Sequence, residues 1–322
     1  MQERLSYALP QTLSQALTHL SHCCEHALLA EVSATPKPGL VDRRDNGAHT
    51  DMCFDTFVAS TAAIVPHLTE LARVGFEWED TEVCHRSAQS GSTECATDKA
   101  NADHSRCSLF RAIRPIGMEA ERAMFAATGG INTHKGMIFS MGLIAAASGL
   151  YYRRHGNFQP EAILELSGTL CLDELKRDFV SMDPEHPKTH GEKLYARYGS
   201  RGIRGEAMNG FPAIRDVALP VIRRGMNHGA AAANRAYLNT LLALMAQVDD
   251  TNVLIRTSPE LLAFEKAEAA RIIALGGADT DAGMDALRLL NEEFIRLNIS
   301  PGGCADLLAV TILLWNLEQY GK

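Results

Sequence analysis

Hydrophobic positions along the chain recur mostly at helical spacing. Between Leu13 and Val32, for example, Leu13, Leu17, Leu20 and Leu28 are separated by polar residues, which places them on one face of a helix. No run rich in Val, Ile and Tyr alternates with a period of two, so no strand is predicted. The pattern therefore predicts an all-α fold.

The same periodicity, together with helix start and stop signals, sets the predicted boundaries. Helices are predicted over 13–32, 51–73, 115–127, 137–152, 160–179, 192–198, 213–224, 230–247, 258–276, 281–297 and 306–320. The start at Ser258 is the best marked, because an N-cap serine is followed by a proline and an acidic residue.

A single domain over residues 1–322 is the simplest organisation. A chain of 322 residues can bury a large core, and no repeat of 20 to 50 residues is visible. Residues 77–107 are polar and lack periodicity, so they are predicted to be a surface insertion or flexible loop.

Composition narrows the class of protein. Hydrophobic residues make up 46% and charged residues 22%, as in globular proteins, and the net charge is −8. This negative charge argues against a protein that coats nucleic acid, because such proteins need a basic surface to neutralise phosphates. A local basic cluster can still bind a small polyanion. The N-terminal residues lack a signal-peptide pattern, and the apolar run at residues 137–150 is too short to span a membrane, so a cytoplasmic protein is expected. The eight cysteines form no C-x-x-C pair, which favours reduced thiols.

A glycine-rich stretch, residues 129–136, precedes an apolar helix. It reads Gly-Gly-Ile-Asn-Thr-His-Lys-Gly and combines backbone freedom with a cation at a helix N-terminus, where anions bind. Its spacing matches neither a P-loop nor a dinucleotide-binding fingerprint. Alone, it is more typical of a simple turn.

Five polar loops share this design of glycine or proline with charged residues between helices. In a helical bundle they are expected to converge at one end or in a crevice. Their side chains suit a phosphate-rich substrate: cations for phosphate, carboxylates for magnesium and imidazoles for proton transfer. The alternative is that each loop only connects and caps helices. The loops are Lys37–Asp51, Asn132–Gly136, Arg201–Asn209, Asp249–Arg256 and Ser300–Asp306.

Seven short blocks stand out in these loops and elsewhere in the chain: S-x-x-P-K-P-G-L-V-D (33–42), N-G-A-H-x-D-M (46–52), R-P-I-G (114–117), G-I-N-T-H-K-G (130–136), R-G-E (204–206), D-T-N (250–252) and S-P-G-G-x-A-D-L-L (300–308). Together they closely resemble the triphosphoribosyl-dephospho-CoA synthase family. Two features depart from the family pattern: residues 77–107 are longer and more polar than expected, and Ile255–Ser258 replaces a glycine-rich segment.

The resemblance implies an all-helical transferase. Such an enzyme takes ATP and 3′-dephospho-CoA, releases adenine and makes 2′-(5″-triphosphoribosyl)-3′-dephospho-CoA. This product is the prosthetic-group precursor for the acyl carrier subunit of citrate lyase or malonate decarboxylase, and it would pass to an acyl carrier protein holo-transferase. The product linkage is α whereas that of ATP is β, so one inverting displacement with an oxocarbenium-like transition state is expected.

Roles follow from this chemistry as hypotheses. A base or oxocarbenium stabiliser is expected among Asp42, Asp51, Glu206 and Asp250, and a proton donor to adenine in His49 or His134. Glu31 is a lesser candidate, because it can simply end a helix. Residues expected to bind ATP are Lys37, Gly39, Asn132, Lys135, Gly136, Arg204, Asn252, Gly302 and Gly303, and those expected to bind Mg²⁺ are Asp42, Asp51, Asp250 and Asp306.

Two other functions fit the sequence. A magnesium-dependent nucleotide phosphohydrolase on a helical scaffold would use similar aspartate and lysine loops, and a non-catalytic helical binding protein would need no reacting groups. The sequence leaves open which decarboxylase or lyase is served and whether the chain forms a homo-oligomer.

Overall fold

The computed structural model describes residues 11–79, 108–183, 185–187, 189–227 and 232–320. Within these ranges the chain forms α-helices and no strand, so the all-α prediction is confirmed. A π-helical turn (Ala213–Ala218) and a 3₁₀ turn (Gly277–Asp279) accompany them. The helices are α1 (Gln11–Ser33), α2 (Phe54–Glu77), α3 (Leu109–Ala127), α4 (Lys135–His155), α5 (Pro160–Val180), α6 (His190–Tyr198), α7 (Gly202–Met208), α8 (Leu219–Met226), α9 (Ala233–Gln247), α10 (Thr251–Arg256), α11 (Pro259–Ala274), α12 (Asp281–Leu297) and α13 (Gly302–Glu318).

Side-chain caps account for several of these boundaries. The Ser258 hydroxyl accepts a hydrogen bond from the Leu261 amide at 3.4 Å, with a proline at the first helical position, as predicted for α11. Thr280 caps α12 in the same way through the amide of Gly283 at 3.1 Å. These ends are encoded locally and follow directly from the sequence.

Helices α4 and α13 form the centre of the fold. Nearly every residue of α4 from Met137 to Tyr152 is buried, and α13 is buried along most of its length. A helix that is apolar all round must be covered on all sides. Helix α4 packs against α2, α3, α5 and α13. In the ranges that the structure describes, no helix combines the length and hydropathy needed to cross a membrane.

Glycines set the distance between α2 and α4. A β-carbon at Gly75 would lie 2.0 Å from the Ala146 carbonyl oxygen, and one at Gly149 would lie 2.3 Å from that of Ala72. The two backbones therefore approach more closely than any larger residue permits. This close pairing holds the first turn of α4 beside the N-terminal half of α2.

Several predicted boundaries were wrong. Helix α3 begins at Leu109, before the predicted start at Pro115, because Leu109, Phe110 and Ile113 bury apolar side chains that outweigh the loss of one hydrogen bond at the proline. Two predicted loops contain short helices, α7 and α10, and α13 begins at Gly302 rather than at 306. Of the predicted insertion 77–107, residues 80–107 lie outside the described residues.

We predict that Gly75→Ala lowers the free energy of unfolding by about 1–3 kcal/mol, because the new methyl group forces α2 away from α4. Gly117→Ala is the matched control: a β-carbon there meets no atom within 4 Å. Because Gly117 lies within α3, Gly117→Ala should leave the free energy of unfolding unchanged or raise it by about 0.4–1 kcal/mol. Chemical denaturation of both variants measures the difference, and equal stabilities would contradict the close-packing argument.

Candidate active site

A cavity of about 280 Å³ forms where the end of α1, the loop before α2, the turn before α4, helix α10 and the start of α13 meet. Four of the five polar loops contribute to it, and 201–209 does not. The lining residues are Glu31, Lys37, Leu40, Val41, His49, Met52, Phe57, Asn132, Thr133, His134, Lys135, Gly136, Met137, Asn252, Ile255, Arg256, Ser300, Gly302, Ala305 and Asp306.

Asp42 organises the first loop from the inside. Its Oδ2 accepts the Lys37 amide at 2.9 Å, and its Oδ1 accepts the amides of Arg44 at 2.6 Å and Asp45 at 3.3 Å. These bonds hold the backbone of Lys37 against the carboxylate of Asp42. Asp42 itself is buried and does not line the cavity. The structure thus gives Asp42 a positioning contact rather than an open carboxylate.

Two amide side chains hold the ends of this loop. Asn234 bonds both the amide and the carbonyl of Thr35, at 2.9 and 2.8 Å, and the Asn291 Oδ1 accepts the Gly39 amide at 2.9 Å. Gly39 has φ +68°, and a β-carbon there would lie 2.1 Å from the Ile299 carbonyl oxygen. Gly39 therefore shapes the loop but does not line the cavity.

A buried ion pair lies at the cavity wall. Lys37 Nζ contacts Glu31 Oε1, and both residues are almost completely buried, at 2% and 4% exposure. A buried cation needs a counter-ion because its desolvation is unfavourable. Burial raises the pKa of Glu31, and the ammonium of Lys37 opposes that rise.

His134 is held by a chain of hydroxyl groups. Thr133 Oγ1 donates to Ser60 Oγ at 2.7 Å, which leaves the Ser60 proton for His134 Nδ1 at 2.6 Å. Nδ1 is then an acceptor, so the neutral ring carries its proton on Nε2. Burial, and secondarily the charge of Lys37, lowers the pKa of His134 to about 3. The ring edge also meets the face of Phe57, with centroids 5.1 Å apart.

His49 connects the first loop to the segment just before α13. Its Nε2 lies 2.8 Å from Ser300 Oγ, and Arg256 Nη1 approaches its Nδ1 at 3.5 Å. Burial and the nearby guanidinium lower the pKa of His49 to about 4. Arg256 is itself tied to the Ala48 carbonyl and to Asn298. Both nitrogens of the His49 ring are therefore engaged.

Asp250 joins the N-termini of two helices. Its Oδ1 accepts the Asn252 amide at 2.8 Å, which caps α10, and its Oδ2 accepts the Cys304 amide at 2.8 Å in the first turn of α13. The side chain is buried and does not line the cavity, and desolvation raises its pKa. Its two oxygens cap the N-termini of α10 and α13, and these contacts position Asn252 and Gly302 at the cavity.

Asp306 is different, because its carboxylate faces the cavity and has no hydrogen bond or ion pair within the described ranges. A β-carbon on Gly136 would lie 2.4 Å from Asp306 Oδ2, so this glycine gives the carboxylate room. Desolvation, and then the charges of Glu31 and Asp250, hold the pKa of Asp306 well above its usual range. When deprotonated, it is a strong base for a carboxylate.

The N-terminus of α4 also reaches the cavity. Asn132 Oδ1 accepts the Lys135 amide at 3.2 Å, while the first-turn amides of Gly136 and Met137 have no acceptor inside an α-helix. Lys135 is exposed, and its Nζ lies 3.0 Å from Glu121 Oε2. This edge therefore carries positive potential.

The remaining predicted residues lie elsewhere. Asp51 is exposed beside His49, with 3.8 Å between Oδ1 and Nδ1. Glu206 accepts the Ala213 amide at 3.1 Å, Gly303 packs against Asp250, and Arg204 lines a second cavity. The predicted residues at the main cavity are Lys37, His49, Asn132, His134, Lys135, Gly136, Asn252, Gly302 and Asp306.

Sequence reasoning undervalued three cavity residues. Glu31 is only a lesser candidate in the sequence, Arg256 lies in a segment that departs from the family pattern, and Ser300 lies in a polar loop without a predicted role. The one available signal was that each lies within or next to a polar loop. Within the described residues, no group of three or more His, Cys, Asp or Glu side chains could hold a metal ion.

Comparison with known proteins places the chain in a family. Residues 17–322 match the model of the family described as CitG: ATP:dephospho-CoA triphosphoribosyl transferase. No solved structure matches the chain.

Relatives of the chain carry the corresponding names. The chain is 39% identical over 307 residues to the probable 2-(5″-triphosphoribosyl)-3′-dephosphocoenzyme-A synthase of Vibrio cholerae serotype O1 (strain M66-2), which covers 94% of this chain and 89% of the relative. It is 38% identical over 296 residues to the 2-(5″-triphosphoribosyl)-3′-dephosphocoenzyme-A synthase of Klebsiella pneumoniae, covering 92% and 89%. A synthase of the same name from Escherichia fergusonii is 35% identical over 303 residues, covering 94% and 91%. The chain is therefore an enzyme that belongs to the ATP:dephospho-CoA triphosphoribosyl transferase family.

Proposed function

We propose that the enzyme joins C1′ of the ATP ribose to the 2′-hydroxyl of 3′-dephospho-CoA and releases adenine. One C–O bond forms as the bond from C1′ to adenine breaks. The hydroxyl loses a proton to the base, and the departing adenine takes one up from water, so the step balances without a further reactant. The observation that carries the proposal is the Asp306 carboxylate, which has no hydrogen bond or ion pair within the described residues and lies in one cavity with the Glu31–Lys37 pair and His134.

Asp306 is the base in this proposal. It is the cavity carboxylate that is not committed to an ion pair or a backbone amide in the described part of the chain. Desolvation raises its pKa, which increases the proton affinity of the carboxylate form, and in this proposal the 2′-hydroxyl of the acceptor lies beside it in the cavity. Asp42 and Asp250 support the site through their backbone contacts instead.

His134 supplies a hydrogen bond to the leaving adenine as a neutral ring. A pKa of about 3 keeps the imidazole uncharged near neutral pH, so it acts as an Nε2–H donor rather than as an imidazolium acid. The apolar side chains of Phe57 and Ile255 in the same lining suit a purine face. A donor aimed at the departing nitrogen stabilises the charge that develops on it.

The triphosphate lies towards the exposed edge. Lys135 and the first turn of α4 attract anions there, and Gly302 at the start of α13 brings a second helix N-terminus to the lining. Magnesium bound to ATP needs only one or two protein carboxylates, because phosphate oxygens and water complete its coordination. Asp51 would hold it from the solvent side, and the metal would neutralise phosphate charge.

The product would serve as the prosthetic-group precursor of an acyl carrier protein and pass to a holo-transferase. The family resemblance supports citrate lyase or malonate decarboxylase as the destination. Nothing in the cavity distinguishes the two, because the carrier acts after the product leaves.

We predict that the purified enzyme releases adenine from ATP only when dephospho-CoA is present. Each adenine should be matched by one triphosphoribosyl product, with the triphosphate intact, and chromatography of the reaction measures both. Release of inorganic phosphate without adenine would instead favour a nucleotide phosphohydrolase.

Asp306→Asn should lower kcat by a factor of about 10²–10⁴, the range for loss of a general base, with little change in the KM for ATP. The measurement is steady-state adenine release. Asp285→Asn, on the exposed face of α12 and paired with Arg288, is the control and should match the wild type. A kcat within about threefold of the wild type would remove Asp306 from the reaction.

The His134 ring should stay neutral well below pH 6.5, its ordinary pKa. The unfolded chain then takes up the proton first as the pH falls, so His134 destabilises the fold between about pH 6.5 and pH 3 and has no such effect above that window. NMR titration of the ring detects its charge. Stability curves of His134→Gln should fall less steeply over the same window, whereas a ring titrating near 6.5 would disprove the neutral-donor role.

A further inference from the structure

A second cavity, of about 240 Å³, lies between α2, α3, α4 and α5, with Arg204 of α7 at its edge. Its lining is mainly apolar and includes Leu71, Ile113, Phe139 and Leu175. Cavities that bind small molecules commonly combine such a lining with a few polar groups. The proposed reaction does not use this space.

Gly117 leaves part of this cavity open. A β-carbon built on Gly117 meets no atom within 4 Å, so α3 presents bare backbone to the cavity. Gly142, on the opposite wall, is a packing glycine, because its β-carbon would lie 2.8 Å from Leu71 Cδ1. Close helix packing therefore explains Gly142 and does not explain Gly117.

The two cavities are neighbours along α4. Gly136 and Met137 line the first, and Ile138 and Phe139 line the second, all within about 5 Å along the helix axis. The ion pair between Lys135 and Glu121 spans the boundary, because Lys135 lines the first cavity and Glu121 the second. A substrate that spans both cavities would have to pass this ion pair.

We propose that the second cavity binds the pantetheine arm of dephospho-CoA. This inference rests on the proposed function, which places the 2′-hydroxyl of the acceptor in the first cavity. The acceptor continues from that ribose through a 5′-diphosphate to an uncharged arm that carries two methyl groups and two amides. The apolar walls of the second cavity match this arm.

The polar group available to the arm is the Arg204 guanidinium. Arg204 makes no hydrogen bond or ion pair within the described part of the chain, whereas Arg114 is committed to Asp178 and to the face of Phe110. An unengaged guanidinium can donate to the amide carbonyls of the arm. Arg204 thereby acts in acceptor binding, not in binding the ATP phosphates.

Gly117→Leu tests the subsite, because the new side chain fills the open space without a backbone clash. We expect the KM for dephospho-CoA, and its Kd measured by calorimetry without ATP, to rise about tenfold or more, as when a binding pocket loses room for several carbons. The KM for ATP should not change. With adenosine 5′-diphosphate, which shares the nucleotide half and lacks the arm, the calorimetric Kd should match that of the wild type.

Gly191→Leu is the matched control, since Gly191 also lies in a helix and its β-carbon meets no atom within 4 Å, yet it lines neither cavity. An unchanged Kd for dephospho-CoA in Gly117→Leu would overturn the subsite, as would equal losses for ATP and dephospho-CoA. A wild-type enzyme that releases no adenine would instead refute the proposed function, so the two failures are distinguishable.

Discussion

The buried ion pair between Glu31 and Lys37 is the constraint on which the site depends. Removing one partner of such a pair leaves an uncompensated buried charge and lowers the free energy of unfolding by about 3–5 kcal/mol. Its two charges also act on two further cavity residues: Lys37 helps to lower the pKa of His134, while Glu31 helps to raise that of Asp306. One pair thus favours a neutral imidazole and a strongly basic carboxylate together.

The number of acidic residues near the cavity does not show how many of them can act on a substrate. Asp42 and Asp250 accept backbone amides with both oxygens, and this use fixes the loops that carry the cavity residues. A carboxylate that is fully used in this way has little capacity left for a substrate. Asp306 differs in that no backbone amide folds back onto it within the described residues, and the missing β-carbon of Gly136 leaves room for its Oδ2.

The sequence predicted the fold class and most of the long helices, because helical periodicity and caps such as Ser258 are local signals. It missed α7 and α10, since helices of six or seven residues are stabilised mainly by packing rather than by propensity. For the site, it identified four of the contributing loops. It did not separate the roles of Asp42 and Asp306, because that depends on which amides fold back onto each carboxylate.

The cavity wall has a consequence for how the enzyme is made. Glu31 lies at the end of α1, whereas Asp306 lies in the first turn of α13, and these two helices pack against each other. During synthesis, the N-terminal helices leave the ribosome long before α13 does. Until then, the face of α1 that α13 covers is exposed, and a nascent chain has neither a complete cavity nor catalytic activity.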